Sequence, residues 1–259
     1  MSIETIVDSW RKAAMSEPEL ISSFDGYAPK VVALMSCPRL GWTDTFGCVH
    51  DVLQPLGIKV VRHSGVFWGQ SLTRLFEESV RRGIEFILTV DYDSIFTRQH
   101  VIELVRLIVE NDDVDAIVPV QVRRESNHSM FTIMQDDKLI DKCNWEEFNK
   151  PLTKIATGHF GLTIIRSSSL AKLEKSVDTP WFKSYPDLEG SWRQGHIDED
   201  IGFWINSMAA GWNTCLANGV RIGHLQNVIA WPKPDFTPRF QYISGWLTEG
   251  QPKEEAWQS

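Results

Sequence analysis

Two carboxylates separated by a single residue stand directly after an apolar run. The run is FILTV, Phe86–Val90, and Asp91 and Asp93 follow it. Carboxylates at positions i and i+2 can converge on one hard cation such as Mg²⁺ or Mn²⁺. A cation held there could bridge two phosphates and neutralise charge on a leaving diphosphate. The alternative is a solvated turn, because Asp favours turns. The position after a buried strand favours the metal-binding hypothesis.

A histidine late in the chain is a candidate for a further metal ligand. His224 comes near the end of the apolar run VRIGHL, next to Gly223. Imidazole and carboxylate together suit Mn²⁺ and related ions. A single histidine is more often a core residue than a ligand, but the acidic pair gives His224 possible partners. We therefore predict a metal site of Asp93, His224 and Asp91 that holds Mn²⁺ or Mg²⁺.

Three consecutive acids, Asp198, Glu199 and Asp200, open a helical pattern. The helix dipole favours acids at this position, which is the purely structural interpretation. Adjacent carboxylates also repel one another, which raises the pKa of at least one of them. A carboxylate with a raised pKa could serve as general base to an acceptor hydroxyl. Neighbouring residues of a helix point in different directions, so we expect only one of the three to reach a substrate.

Several cationic and polar residues could contact a diphosphate. Arg39 follows the first strand in the sequence Cys37-Pro38-Arg39, at the sheet edge that also carries Asp91. Arginine makes fork-like contacts with phosphate and lysine supplies a point charge. Each of the others is more simply a surface residue. These others are Gln70 and Arg74 on the second helix, and Arg221 and Lys233 on either side of His224.

A small-residue segment could let a ligand approach the backbone. It contains Gly158, His159 and Gly161. Glycine has no side chain to obstruct a ligand. The alternative is a β-bulge, where glycine is also common.

The elements that must position these residues alternate between strand and helix. Strand patterns cover residues 30–35, 58–63, 86–90 and 116–120, and helical patterns cover residues 42–56, 70–82 and 97–110. Such alternation predicts an α/β fold with a mostly parallel central sheet and helices on both faces. Ligands of such sheets bind beyond the carboxyl ends of the strands, where Asp91 and Asp93 lie.

The rest of the chain is less regular. We expect a hairpin or mobile loop over residues 123–150, an interrupted strand over 155–166, a short helix over 170–175 that Ser167 could cap, a loop over 178–195, a helix over 198–211 and strands over 214–217 and 220–225. The prediction is one domain over residues 1–259. It comprises an N-terminal helix and lead-in (1–29), a nucleotide-binding half (30–120), an acceptor and catalytic half (121–231) and an irregular tail (232–259).

Composition excludes some classes of protein. The net charge of −8 argues against non-specific nucleic-acid binding. The four cysteines form no CxxC pair, which argues against a zinc knuckle and is typical of reduced thiols in the cytoplasm. No apolar run approaches the length of a membrane span, and the N-terminus lacks the pattern of a signal peptide. We therefore expect a soluble, cytoplasmic protein.

Four segments together resemble the GT-A superfamily of glycosyltransferases, in the order in which that superfamily has them. FILTVDYDS is similar to its strand and DxD motif, and ATGHFGLTIIR to the segment lining its donor-sugar and acceptor site. HIDEDIGFWINSMAAGW is similar to its acidic motif followed by a helix, and VRIGHL to the late strand whose histidine completes the metal site. The resemblance spans residues 30–225.

The resemblance implies a GT-A type, Rossmann-like fold and a metal-dependent transfer of sugar from a UDP or GDP carrier. Asp93 would be the main metal ligand, Asp91 would touch the metal or the ribose, and His224 would be another ligand. Asp200 would be the catalytic base of an inverting enzyme, with Glu199 and Asp198 as alternatives. The expected nucleotide-sugar contacts are Cys37, Pro38, Arg39, Gln70, Arg74, Asp91, Tyr92, Gly158, His159 and Lys233. The acceptor stays open among glycan, lipid, protein, small molecule and modified nucleic acid.

Three other interpretations compete with this one. A haloacid-dehalogenase-like phosphatase would use Asp91 as nucleophile, although here the DxD motif follows the third strand instead of the first. A sugar-nucleotide pyrophosphorylase would carry a glycine-rich, basic loop after its first strand, and SCPRLGW is not one. A non-catalytic sugar-binding protein could keep the fold without the activity.

Overall fold

Strands and helices alternate through the first half of the chain, as the sequence predicts. The computed structural model describes residues 26–38, 41–126, 128–136, 138–141, 148–176, 181–186, 190–192 and 196–252. A 3-10 turn at Ala28–Lys30 leads into β1 (Val31–Cys37), α1 (Thr43–Leu53), β2 (Lys59–Ser64), α2 (Trp68–Arg81), β3 (Phe86–Val90), β4 (Ser94–Ile95), α3 (Arg98–Glu110) and β5 (Ala116–Val120). The predicted N-terminal helix lies outside the described residues.

The second half has shorter elements. They are β6 (Ile133–Gln135), β7 (Lys138–Ile140), β8 (Leu152–Lys154), β9 (Ile164–Arg166), α4 (Ser167–Ser176), α5 (Glu199–Ala209), β10 (Thr214–Arg221), β11 (Gly223–His224), β12 (Val228–Pro232), β13 (Pro238–Tyr242) and α6 (Ile243–Glu249). The β6–β7 hairpin lies in the segment expected to form a hairpin or loop.

A mixed but mostly parallel sheet forms the centre of the fold. Its seven strands lie in the order β2-β1-β3-β9-β5-β10-β8. The pairings β1–β2, β1–β3 and β5–β10 are parallel, whereas β9 is antiparallel to both β3 and β5, and β8 is antiparallel to β10. The predicted α/β class with a mostly parallel sheet is confirmed, and the two reversed strands make the sheet mixed.

Helices cover both faces of this sheet, as predicted. Successive residues of a strand point to opposite faces. Val31 and Ala33 accordingly join a core with α1 and α3, whereas Val32 and Leu34 join a second core with α2, α4 and α5. Because both faces are covered, a central strand can be apolar throughout. All five residues of β3 are buried.

Two predicted elements need correction. Of residues 155–166, only Ile164–Arg166 forms a strand. The preceding residues cross the sheet instead, where Thr157 bridges to Thr132 and the His159 ring contacts the Pro119 carbonyl. The described part of the tail, residues 232–252, is also not irregular, because β13 pairs with β12 and α6 follows directly. No described helix is long and apolar enough to cross a membrane.

Candidate active site

Asp91 is fixed at the carboxyl edge of the sheet by the segment that leads into β9. The Thr89 N–H donates to the Thr163 carbonyl over 2.8 Å, and the Asp91 N–H donates to the Gly161 carbonyl over 3.3 Å. These bonds extend the β3–β9 ladder past the end of β3. The acidic turn therefore begins from a rigid strand end.

Asp93 is buried and has two positively charged or protonatable neighbours. The side chain is 6% exposed, and its Oδ2 lies 3.2 Å from His224 Nε2 and 3.4 Å from Arg124 Nη1. The pairing of β4 with β11 sets His224 opposite Ser94, which brings the histidine to the acidic turn. The Leu225 N–H donates to the Asp93 carbonyl over 2.8 Å and strengthens the same contact.

The His224 ring presents Nε2 to Asp93 because its other nitrogen is already used. Nδ1 lies 2.9 Å from the Val122 carbonyl, which can only accept, so Nδ1 carries the proton. In the neutral ring Nε2 then has a free lone pair. Burial alone would lower the pKa of His224, but the hydrogen bonds to Asp93 and to the Val122 carbonyl outweigh it and the pKa is raised. A proton or a cation between Nε2 and Asp93 would satisfy both groups.

Asp91 lies in an environment that disfavours its negative charge. Burial, and next the charge of Asp93, raise the pKa of Asp91 to about 7, although a hydrogen bond from Trp68 opposes them. That bond runs from the indole Nε1 to Asp91 Oδ1 over 3.2 Å. The charge of Asp200 also contributes to the rise. A cation beside the two aspartates would offset this unfavourable charge.

The three acids at the start of α5 differ in what they contact. Glu199 Oε1 accepts from the Gly69 N–H at the start of α2 over 2.9 Å. Asp198 is 71% exposed and its Oδ1 lies 2.9 Å from His196 Nε2. Asp200 is more enclosed. Burial, followed by the charges of Asp198 and Glu199, raises its pKa, although the Ile201 N–H donates to it.

Two adjoining hollows connect these groups. One of about 430 Å³ is lined by Trp68, Asp91, Ser184 and the three acids. A larger cleft of about 670 Å³ shares Asp198 and Asp200 with it and reaches His224. The walls of the larger cleft come from several loops and include Trp42, Arg123, Arg124, Met130, Gly158, His159, Gln226 and Ile243. Asp91 and Asp200 thus line the smaller hollow, Asp200 and His224 line the larger cleft, and the buried Asp93 contacts His224.

Gly158 and His159, from the glycine-containing segment predicted to contact the nucleotide sugar, line the larger cleft but serve internal packing. A Cβ on Gly158 would lie 2.6 Å from a Val118 methyl group. The His159 ring is buried, with Nε2 2.9 Å from the Pro119 carbonyl and Nδ1 accepting from the Gly161 N–H. Burial lowers the pKa of His159 to about 4, so the ring is neutral. Both ring nitrogens are engaged within the protein.

The other predicted nucleotide contacts are dispersed. Cys37 is buried and burial raises the pKa of its thiol, while Pro38 is half-buried at the end of β1. Gln70 and Arg74 are exposed on α2, and Tyr92 packs partly buried against the core. Lys233 lies in the turn between β12 and β13, and Arg221 ends β10. Arg39 lies outside the described residues. Their roles as nucleotide contacts stay predictions.

The sequence interpretation missed two contacts of the acidic turn. Trp68 follows β2 at the sheet edge, and Arg124 follows β5 at the same edge. Both therefore occupy the kind of position that singled out Asp91 and Arg39. A third residue, Gln121, holds β4 and β11 together, because its Nε2 donates to Ser94 Oγ and to the Gly223 carbonyl. Position after a strand is the signal that could have identified all three.

The predicted metal site is only partly assembled by protein groups. Within the described residues, no group of three or more His, Cys, Asp or Glu side chains is arranged to hold a metal ion. Asp93 and His224 are close, with Asp91 at the same turn. Magnesium is commonly bound through one or two carboxylates, with phosphate oxygens of the substrate and water completing the shell. A small protein donor set of this kind fits such an ion.

Comparisons with known proteins bear on the fold alone. No protein-family model matches the chain, and no curated protein sequence matches it. Solved structures do match, among them one described as "Crystal Structure of A197 from STIV". It aligns with a TM-score of 0.53 and 11% sequence identity, over 82% of this chain and 94% of that chain. Identity this low supports a shared fold. Because one fold can host many activities, function must be argued from the site.

Proposed function

We propose that this chain is a metal-dependent glycosyltransferase that moves a sugar from a UDP or GDP carrier to an acceptor. The observation that carries the proposal is the meeting of three elements at two hollows that share Asp198 and Asp200. The turn after β3 supplies Asp91 and Asp93, β11 supplies His224 and the start of α5 supplies Asp200. A charged diphosphate, a cation and an acceptor hydroxyl each have a chemically suitable partner there.

Asp93 and His224 would hold the cation, with Asp91 beside them. Their oxygen and nitrogen donors suit Mn²⁺, and the carboxylates also suit Mg²⁺. When bound, the ion would neutralise charge on the departing diphosphate. The pKa of Asp91, raised to about 7 by burial first and by Asp93 next, supports this assignment because a nearby cation would offset both causes. Trp68 would keep the Asp91 carboxylate oriented through its indole N–H.

Asp200 is the candidate to accept the proton of the acceptor hydroxyl in an inverting reaction. A general base works best when its pKa lies near the working pH. Burial, and then repulsion from Asp198 and Glu199, raise the pKa of Asp200 in that direction. Glu199 is instead bonded to the start of α2 and Asp198 is paired with His196. Among the three acids, the contacts favour Asp200.

The rival phosphatase reaction would require Asp91 as an ionised nucleophile. The raised pKa of Asp91, caused by burial first and by Asp93 next, does not separate the two reactions, because a cation would offset both causes in either. Asp91 Oδ1 accepts the Trp68 hydrogen bond, which suits an oriented ligand better than a nucleophile. The DxD motif also follows the third strand instead of the first.

The proposal is tested by thermal unfolding in the presence of UDP, GDP, CMP and their sugars. Each would be measured with Mn²⁺, with Mg²⁺ and with a chelator. A ligand that binds only the folded protein raises the midpoint by mass action. We expect one nucleoside diphosphate to raise the midpoint only when metal is present, and Asp93→Asn to abolish that rise.

Asp44→Asn is the matched control, because Asp44 is exposed in the first turn of α1. It should leave the ligand-induced rise unchanged. The proposal is contradicted if no nucleoside diphosphate stabilises the protein with either metal. Stabilisation by phosphate mimics alone would instead support the phosphatase.

A further inference from the structure

The turn after β5 places Arg124 beside the acidic turn. Arg124 Nη1 lies 3.4 Å from Asp93 Oδ2, the oxygen that also faces His224 Nε2 at 3.2 Å. The Asp93 side chain is 6% exposed, whereas that of Arg124 is 46% exposed. Arg124 also lines the larger cleft. One end of this side chain therefore neutralises a buried carboxylate while much of its surface faces the open space.

The backbone next to Arg124 is held in an unusual conformation. Glu125 has a φ of 52°, in the left-handed region that non-glycine residues seldom adopt. The Glu125 N–H donates to Gln226 Oε1 over 2.9 Å, and its carboxylate accepts from the Ser244 N–H over 3.3 Å. The Arg123 N–H donates to the His128 carbonyl over 2.9 Å. Strain that surrounding contacts maintain is characteristic of ligand-binding segments.

We infer that Arg124 is a diphosphate-binding residue that exchanges partners when the donor binds. Without ligand, its guanidinium pairs with Asp93. In the complex, a divalent cation would occupy the Asp93 carboxylate, and Arg124 would turn to the phosphate oxygens in the cleft. This inference rests on the proposed function, because it takes its ligand from it.

Charge and geometry make this exchange favourable. A guanidinium is always charged, so it repels a divalent cation that competes for the same carboxylate oxygen. Its planar fork of N–H donors matches the oxygens of a phosphate. The incoming diphosphate thus offers Arg124 a new anion at the moment when the cation takes the old one. Arg124 would lower the affinity for metal alone and raise the affinity for the metal–diphosphate pair.

Isothermal titration calorimetry on the full chain and on Arg124→Gln tests this inference. Glutamine keeps a polar side chain but removes the charge. We expect Mn²⁺ alone to bind Arg124→Gln roughly two- to fivefold more tightly, the range of a single partly exposed ion pair. We expect UDP or GDP, whichever the unaltered protein binds with Mn²⁺, to bind about ten- to a hundredfold more weakly, the range for a lost hydrogen bond to a charged group.

Arg123→Gln is the matched control. Arg123 lines the same cleft, but its charge acts on Asp141. Its replacement should leave the affinity for Mn²⁺ alone unchanged. Arg124→Lys keeps a charge without the fork, so it should lose part of the affinity for the nucleotide and keep the weak affinity for metal alone. Arg124→Lys also carries the test if the glutamine variant fails to fold.

The possible failures are distinguishable. If the unaltered protein binds no nucleoside diphosphate with metal, the proposed function fails and the role of Arg124 fails with it. If that binding occurs and Arg124→Gln leaves both affinities unchanged, only the inference about Arg124 is overturned. A variant that binds Mn²⁺ alone more weakly also overturns it, because Arg124 would then support the metal site instead of competing with the cation.

Discussion

Burial changes the chemistry of the carboxylates at this site. Asp91 and Asp200 both have raised pKa values, and burial is the largest cause for each. Enclosing a charge without a full set of partners costs free energy of folding. Residues kept in such surroundings are candidates for function, because a carboxylate used only for stability would gain from a more favourable environment. The individual residue is therefore the scale at which catalysis and stability oppose each other.

Replacing Asp200 with Asn should lower activity and raise stability. We expect the transfer rate to fall about 10²- to 10⁴-fold, the usual contribution of a general base. The amide oxygen can still accept the Ile201 N–H, and the buried charge is gone. The midpoint of thermal unfolding, measured without ligand near neutral pH, should therefore rise relative to the unaltered protein.

The pH dependence of the stability gained in Asp200→Asn follows from the direction in which the pKa of Asp200 is shifted. The folded protein binds the Asp200 proton more tightly than the unfolded chain, because burial first and the neighbouring acids next raise the folded pKa. The ionised residue thus destabilises the fold above the raised pKa, and the penalty disappears as the pH falls to the ordinary range of aspartate. The thermal-unfolding midpoints of the unaltered protein and of Asp200→Asn should therefore converge at acidic pH. A constant difference at all pH values would contradict the assignment.

At the scale of elements, the segment entering β9 is packed too closely for a side chain at one glycine. A Cβ on Gly161 would lie 2.7 Å from Gln121 Oε1 and 2.9 Å from both His159 Nδ1 and Ser94 Oγ. Gly161→Ala should therefore destabilise the fold by about 1–3 kcal/mol, the usual effect of overpacking. Denaturant unfolding measures the loss. Gly219→Ala, where nothing lies within 4 Å of the added carbon, should be near neutral.

The bond between Glu199 and Gly69 joins two helices, and its loss should be structural. Glu199→Ala removes the acceptor for the N–H at the start of α2. We expect a loss of about 0.5–2 kcal/mol in stability, as for other helix N-terminal acceptors, with a transfer rate within a fewfold of normal. Glu199→Gln keeps an acceptor oxygen and should lose less. A collapse of the transfer rate with unchanged stability would instead make Glu199 the catalytic base.

Local pattern predicted the long elements well and the short ones poorly. β3 could be predicted because four of its five residues are apolar and all five are buried. The start of β9 could not, since the strand pattern begins at residue 155 whereas residues 155–163 cross the sheet. Prolines indicated an irregular tail, yet Pro232 and Pro238 lie opposite each other in a two-stranded hairpin. Proline is tolerated there because a strand edge needs no donor.

For the candidate site too, local sequence pattern predicted some residues and missed others. The acidic turn and His224 could be proposed because each follows an apolar run. Their proximity depends on the two-residue pairing of β4 with β11, which no local pattern reveals. Arg124 lies in a turn that Gln226 holds through the Glu125 N–H, and Trp68 begins α2 and reaches Asp91 through its indole. Contacts made across the fold are therefore what the sequence pattern left out.

For the whole molecule, protection from hydrogen exchange should be uneven. β1 and β3 are fully buried between helices, whereas β12 and β13 pair only with each other in the described structure and α6 has no buried residue. Local opening is easiest where little apolar surface is buried. We expect amides of β1 and β3 to exchange slowest and those of residues 228–249 fastest, measured by mass spectrometry. Equal protection in both regions would contradict this distribution.

The position of β9 has a consequence for biosynthesis. This strand lies between β3 and β5, and it is encoded after both of them. While the ribosome is still making the first half, those two strands lack the neighbour that separates them. Residues 30–120 therefore cannot complete their sheet as an autonomous unit. His224 emerges later still, so a nascent chain would gain its candidate cation-binding pair only after residue 224 has been translated.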